Sequence, residues 1–334
     1  LHAPNVHCGG GLTLLKALIS VLPERSCLIV DERLPISVDI LERFQVEWVK
    51  PTVWHRLAAE YQLTQLVKQR DVVLCFGNLP PLFHLKGQVS LFLQNRYLID
   101  MVSLNHFPLK LRFRIMAERI WFRFFRSRAS QIIVQSSSMN DLLEANFMMS
   151  ANILPFIECA NEYSIGEGVV TDEQKLYDFI YVASGEPHKN HFNLIKAWIK
   201  LAIEDVRPSL YLTLNKDFSP ELISWIEEEK AKYNLNIHNL GSLSGGEVIG
   251  LYRKANALIF PSTLESFGLP LIEAKGMGLA IVASELDYVR DVVDPDESFS
   301  PNSPVSIARA VKRFLGKKEN RSETMTKVRT TALA

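Results

Sequence analysis

Residues 265–273 read ESFGLPLIE: two carboxylates, Glu265 and Glu273, bracket an apolar stretch that contains Gly268 and Pro270. Ionised carboxylates only accept hydrogen bonds, so two of them acting together suit a ligand that offers hydroxyls. The residues between them suit an anion. Proline fits the first position of a helix, where its missing N–H would lack a partner anyway, and Gly276 and Gly278 suit the helix end. A helix starting at Pro270 puts Glu273 in its first turn. It leaves the amides of Phe267, Gly268 and Leu269 at or just before the start, where the dipole favours negative charge. Two acids beside an anion repel it unless they hold neutral parts of the same ligand, and sugar or ribose hydroxyls meet that condition. The plain alternative is a strand, a turn and a helix whose acids are ordinary surface groups.

Lys189 is a cation in a comparable place. The segment YVASGEPHKNHFNLIKAWIK, residues 181–200, reads as a strand, a turn at Ser184, Gly185 and Pro187, and a helix with Phe192, Ile195, Trp198 and Ile199 at helical spacing. An ammonium at such a helix entry can pair with a phosphate, a contact worth on the order of 1.5–3 kcal/mol, although most loop lysines are simply solvated. A third anion-compatible turn lies in HCGGGLTLLKALIS, where Gly9, Gly10 and Gly11 lead from a strand tail into an amphipathic helix; a tight turn without a ligand explains it equally well. Asp31 follows Gly11 by twenty residues, as the ribose-binding acid of a dinucleotide enzyme would. However, the glycines run G-G-G rather than G-x-G-x-x-G, and Leu14 fills the place of the third fingerprint glycine. The DPD at 294–296 matches an acidic metal-binding D-x-D only superficially.

The elements that must position these groups alternate along the 334 residues. Aliphatic runs at 27–30, 71–76, 89–94, 130–135, 178–184, 209–214, 257–262 and 279–284 interleave with helical patterns. Continuous apolar strands of this kind form parallel sheets covered on both faces, an α/β doubly wound architecture. The polar stretch CANEYSIGEGVVTDEQK interrupts the series, so we expect a Rossmann-like domain at 1–157, a linker at 158–176, a second Rossmann-like domain at 177–320 and the start of a tail at 321–334. The strand ends of the two domains are expected to face a cleft. Basic and acidic residues balance at 37 each, which leaves no global field for nucleic acid. Cys8, Cys27, Cys75 and Cys159 show no disulfide or zinc spacing and fit a reducing cytoplasm. No apolar run reaches membrane-spanning length, and no signal peptide is visible.

Taken together, these segments resemble the retaining glycosyltransferases of family 4, which have the GT-B fold. ESFGLPLIE resembles their E-x7-E signature, GMGLAIVASELDYVRDVV the segment after it, YVASGEPHKN their phosphate loop, ASQIIVQSSSMNDLLEANF the last strand and helix of the first domain, and HCGGG its glycine loop. The resemblance covers nearly the whole chain, and the E-x7-E region is its specific part. It implies that Glu273 binds ribose hydroxyls of a nucleotide sugar and Glu265 hydroxyls of the donor sugar. The amides of Phe267, Gly268 and Leu269 would hold sugar and diphosphate oxygens, and Lys189 would pair with the diphosphate. Leu240, Gly241 and Ser242 would lie beside the base, and Gly10 and Gly11 would approach the phosphate. Ser184 stands where many members carry an arginine, and Gln94 and Asn95 stand on the acceptor side where many carry a histidine. Amides do not titrate as histidine does, so no acid/base role is expected there.

The resemblance further implies transfer of a hexosyl unit with retention, without metal or other cofactor, to a glycan or polyprenyl-linked acceptor in bacterial surface polysaccharide synthesis. It also implies a truncated chain, which begins at Leu1 and stops at TTALA, where the family's crossing helix would follow. Residues 110–129, KLRFRIMAERIWFRFFRSRA, carry seven basic side chains and one acid, Glu118. Arg112, Arg119, Arg123 and Arg126 are expected on one side of a helix, and Phe113, Ala117, Ile120, Trp121 and Phe124 on another. Such a helix suits peripheral contact with an anionic membrane from the cytoplasmic side; a domain helix that buries its aromatics and solvates its arginines competes with that reading. Two other classes stay open: a Rossmann-type oxidoreductase built on Asp31, and an inactive sugar-nucleotide-binding subunit.

Overall fold

The computed structural model describes residues 1–37, 42–105, 107–155 and 175–317. The chain divides into two compact units, Leu1–Cys159 and Ala160–Ala334. Residues 158–174 of the expected linker and the expected tail at 321–334 lie outside the described residues.

The first unit is a parallel sheet in the order β3-β2-β1-β4-β5-β6-β7. Its strands are β1 (His2–Ala3), β2 (Cys27–Asp31), β3 (Gln45–Val49), β4 (Val72–Cys75), β5 (Gln88–Phe92), β6 (Gln131–Val134) and β7 (Asn152–Ile153). Between them run α1 (Gly9–Val21), α2 (Val53–Leu66), α3 (Leu109–Phe125) and α4 (Ser137–Phe147). The chain winds outward from β1 to β3 on one side and resumes at β4 on the other, so the strand order reverses between β1 and β4. In open sheets of this kind ligands collect at the carboxyl ends beside that reversal.

The second unit repeats the plan as β10-β9-β8-β11-β12-β13. The strands are β8 (Tyr177–Tyr181), β9 (Leu210–Leu212), β10 (Ile237–Asn239), β11 (Ala255–Phe260), β12 (Ala280–Ser284) and β13 (Glu297–Phe299). The helices are α5 (His191–Ile203), α6 (Pro220–Tyr233), α7 (Gly245–Lys254), α8 (Leu269–Gly276) and α9 (Asp287–Arg290). Residues 257–260 of β11 are fully buried because neighbours flank the strand and helices cover both faces, which explains its unbroken apolar sequence. Here the order reverses between β8 and β11, strands that pair directly, with Ala257 opposite Phe179.

Three local expectations need correction. First, α8 begins one residue before Pro270, because Gly268 adopts φ +79° as the helix cap and Leu269 becomes the first helical residue. A proline is tolerated there since first-turn N–H groups have no helical acceptor. Glu273 consequently lies in the second turn, one step further from the positive end of the dipole. Second, Phe192 of α5 is half exposed and packs at a tilt against Trp225, with ring centroids 4.6 Å apart, while Leu194, Ala197 and Leu201 join Ile195 and Trp198 in the core. Third, Trp121 and Arg119 of α3 turn toward the domain: Trp121 Nε1 donates to the Pro80 carbonyl (2.8 Å) and Arg119 donates to the carbonyls of Tyr97, Asp100 and Val102. Backbone acceptors that lack a strand partner draw these two donors inward, which helical spacing alone does not reveal.

Candidate functional site

Two loops leave the carboxyl ends of β8 and β11, at the strand reversal of the second sheet. Residues 182–190 follow β8 and end in a short 3-10 turn, Pro187–Lys189. Residues 261–268 follow β11 and run into α8. Lys189 Nζ lies 2.7 Å from Glu265 Oε1, and both side chains are more than four-fifths buried. The two charged residues singled out from sequence, 76 positions apart, thus meet directly.

A buried framework holds the loops in that register. Asn190, in the left-handed conformation (φ 61°), sends Nδ2 to the carbonyls of Pro261 (3.0 Å) and Pro301 (2.8 Å). Thr263 donates from both its amide (2.8 Å) and its hydroxyl (3.1 Å) to the His188 carbonyl. Tyr181 Oη donates to the Lys189 carbonyl (2.7 Å) and lies 3.1 Å from Ser262 Oγ, and Tyr288 Oη donates to the Ser262 carbonyl (2.8 Å). Burial pushes the Tyr181 phenol well above its ordinary value, so it keeps the proton it donates. Most of these bonds secure a carbonyl that the strands no longer pair, and together they fix the two loops against each other.

Glu273 is held separately. Its Oε2 accepts from Tyr252 Oη at 2.9 Å, and Tyr252 is itself buried in the core on α7. Burial raises the Glu273 carboxyl above the usual carboxylate range, and the tyrosine hydrogen bond offsets part of that shift. Phe267 is buried, and Gly268 occupies a conformation that disfavours any other residue; a Cβ there would sit 3.0 Å from Leu271 Cδ1. Leu240, Gly241 and Ser242 follow β10, the edge strand, where Asn239 Oδ1 accepts from the amides of Leu214 and Gly241 and Asn215 Nδ2 donates to Ser242 Oγ. Two strand spacings, roughly 10 Å, separate β10 from β8. Ser184 is exposed and bonds Glu186, so no cation stands at that position.

In the first unit Gly9, Gly10 and Gly11 form the opening turn of α1, whose cap, Cys8, makes no side-chain hydrogen bond to it. Gln94 lies beside this turn: a Cβ on Gly11 would come within 3.3 Å of its Oε1. The amides of Gln94 and Asn95 both donate to Asn78 Oδ1 (2.6 and 2.8 Å), which fixes the end of β5 against the end of β4. The structure therefore brings Gly11 and Gln94 together, a pairing that the sequence did not signal. Asp31 is fully buried and gripped at both oxygens by Arg33. Burial would raise its carboxyl, but the Arg33 hydrogen bonds prevail and hold it below the usual range. It is engaged as a structural anion, which weakens the dinucleotide reading. Asp294 pairs with Arg290 and Asp296 accepts from the Ile281 amide, so both acids of the DPD serve local structure. Among the described residues no three His, Cys, Asp or Glu side chains converge as a metal site would require.

Residues 169–330 match the model for "Glycosyl transferases group 1". The carboxyl-terminal half is a group 1 glycosyl transferase domain. The UDP-glucose complex of Anabaena HepE superposes over 96% of this chain and 89% of its own with a TM-score of 0.63 at 14% identity, so the chain has the GT-B fold. Among sequence relatives, the serotype-specific mannosyltransferase WbdA of Escherichia coli is 23% identical over 215 residues, 59% of this chain but 26% of that protein. The chain thus spans about a quarter of the length of that relative. The O-antigen chain mannosyltransferase RfbU of Salmonella typhimurium is 22% identical over 281 residues, covering 80% of this chain and 74% of its own. In the glycosyl transferase domain the missed residues are Tyr252, Asn190, Thr263 and Tyr181. Only Asn190 carried a signal, since asparagine tolerates the left-handed conformation where a turn meets a helix.

Proposed function

We propose that the chain transfers a hexosyl unit, with retention of configuration, from a nucleotide diphosphate sugar to a glycan or polyprenyl-linked acceptor in bacterial surface polysaccharide synthesis. The observation that carries this reading is the contact of Lys189 with Glu265 at the strand reversal, next to the α8 start. The mannosyl specificity of the relatives makes a mannosyl donor the first to test. In this reading the departing diphosphate takes over Lys189 from Glu265 and meets the amides of Phe267, Gly268 and Leu269. Preorganised donors of this kind stabilise developing charge without reorganising. With Ser184 in place of an arginine, the helix start and Lys189 carry more of that load.

Glu265, released from the lysine, accepts from donor-sugar hydroxyls, and Glu273 accepts from the ribose. Leu240, Gly241 and Ser242 flank the base. Gly10 and Gly11 are assigned to phosphate, and Gln94 and Asn95 to the acceptor, where they hydrogen-bond without titrating. No side chain serves as a covalent nucleophile, and the departing donor phosphate takes the proton of the acceptor hydroxyl. The reaction runs without a metal, at the cytoplasmic face of a membrane that the chain meets peripherally through residues 110–129. Among the described residues no helix is long and apolar enough to cross a membrane.

A thermal-shift panel tests the donor. Guanosine or uridine diphosphate, or the corresponding hexosyl nucleotides, should raise the melting temperature, since a ligand that binds only the native state stabilises it by mass action. Nicotinamide dinucleotide should not. A shift with the dinucleotide and none with any nucleoside diphosphate would support the oxidoreductase reading instead.

A further inference from the structure

Helix α3 carries five large apolar side chains that the domain does not cover. Leu109, Phe113, Met116, Ile120 and Phe124 are each 49–72% exposed. At 3.6 residues per turn they fall within an arc of about 80° and make a stripe about 22 Å long. Trp121, expected on this face, is absent from it, while Leu109 and Met116 join it. The helix is fixed in this orientation. Ile115 and Phe122 are buried on the opposite side, and Arg119 and Trp121 are hydrogen-bonded to four backbone carbonyls of the domain. Rolling the stripe inward would strand those donors.

Basic residues border the stripe on both shoulders, Lys110 on one and Arg112 and Arg123 on the other, by the same helical geometry. The helix's one acid, Glu118, is half-buried on the far side and pairs with Arg114 at 2.9 Å. We infer that α3 lies flat in the interface of an anionic bilayer, with the five apolar side chains inserted among the acyl chains and Lys110, Arg112 and Arg123 at the lipid phosphates. This deepens the membrane contact proposed above and rests on it. An amphipathic helix of this design sinks about 5–10 Å into the headgroup boundary and binds through apolar area plus attraction to anionic lipid. Charge complementarity favours lipid over a second copy. A two-fold contact through the same face would set each basic shoulder against its own kind, whereas phosphatidylglycerol offers opposite charge along both shoulders.

The test is flotation of the full chain with vesicles of phosphatidylglycerol and phosphatidylcholine, and with phosphatidylcholine alone. The chain should float with the anionic vesicles, and the triple variant Phe113→Ser/Ile120→Ser/Phe124→Ser should lose at least tenfold in bound fraction. Lys110→Glu/Arg123→Glu should lose binding in a salt-dependent way. All three residues of the triple variant are exposed, so its melting temperature and its response to a nucleoside diphosphate should match the parent. That control separates the inference from the donor proposal, since either can fail alone. A parent chain that stays below the gradient with anionic vesicles at low salt, or a triple variant that floats equally well, would overturn it. So would sedimentation showing a dimer that the triple variant abolishes while lipid leaves it intact.

Discussion

Replacing Tyr252 with phenylalanine removes one hydroxyl from a buried ring and leaves the packing of α7 in place. That hydroxyl donates to Glu273 Oε2 at 2.9 Å. A hydrogen bond to an ionised carboxylate contributes about 1.5–3 kcal/mol, and the ionised form gains most of it. Burial already holds the Glu273 carboxyl above its usual range, and losing the donor moves it further in the same direction. The sign for the ligand follows directly. Ribose hydroxyls need an ionised acceptor, so donor affinity rises as pH climbs through the raised value, and in Tyr252→Phe that rise comes at higher pH. On the acid limb the variant should bind a nucleoside diphosphate about tenfold or more weakly, since about 1.4 kcal/mol is a factor of ten, and the two proteins should converge to within about threefold at alkaline pH. For folding alone the sign is opposite: the native state binds the extra proton, so this group's contribution to stability declines as pH rises through the same window. Isothermal titration calorimetry across the pH range measures the shift, with Glu273→Gln as a weak, pH-independent control. Parallel pH profiles for parent and Tyr252→Phe would refute the role of the tyrosine.

Lys189→Ala should abolish measurable turnover and cost about 1–3 kcal/mol in urea denaturation, less than a fully buried pair because both side chains keep some solvent, while Lys189→Met/Glu265→Gln should recover most of the stability and none of the activity. Gly268→Ala forces a Cβ into the left-handed region and should cost about 1–3 kcal/mol, with weaker nucleotide binding in the same preparation. His191 is buried, neither of its ring nitrogens has a hydrogen-bond partner among the described residues, and burial lowers its pKa to about 3. Its stabilising contribution is therefore complete above the unfolded-state value near 6.5 and is lost as pH falls below it, about 1 kcal/mol between pH 7 and 5.5, a slope that His191→Phe should remove in denaturation at both pH values. Turnover should persist in EDTA; complete loss restored by manganese would overturn the metal-free mechanism.

Much of the second unit could be read before any coordinates because its strands are buried on both faces and leave unbroken apolar runs. Shorter or edge strands escaped for the same physical reason. Gln45–Val49 exposes Gln45, Glu47 and Trp48, and Ile237–Asn239 and Glu297–Phe299 are three residues long, too brief for a period to emerge. At the site, Glu265 and Lys189 stood out because charged residues beside helix-start chemistry are unusual. Tyr252 did not, since a tyrosine in LYRKANALIF looks like any core aromatic until its hydroxyl is seen to reach a carboxylate contributed by another helix. Asn190 and Thr263 act through backbone carbonyls of loops distant in sequence, and pairing of that kind leaves no local pattern. On α3 the helical spacing was correct, but the domain's unpaired carbonyls, not the spacing, decided which arginine and which tryptophan turned inward.

A crystal structure of the chain with a bound nucleoside diphosphate tests the central claim most directly. The account places the diphosphate within hydrogen-bond distance of Lys189 Nζ and the amides of residues 267–269, with both ribose hydroxyls on the Glu273 carboxylate. A nucleotide bound elsewhere, with the Lys189–Glu265 contact intact and Glu273 unengaged, would contradict it.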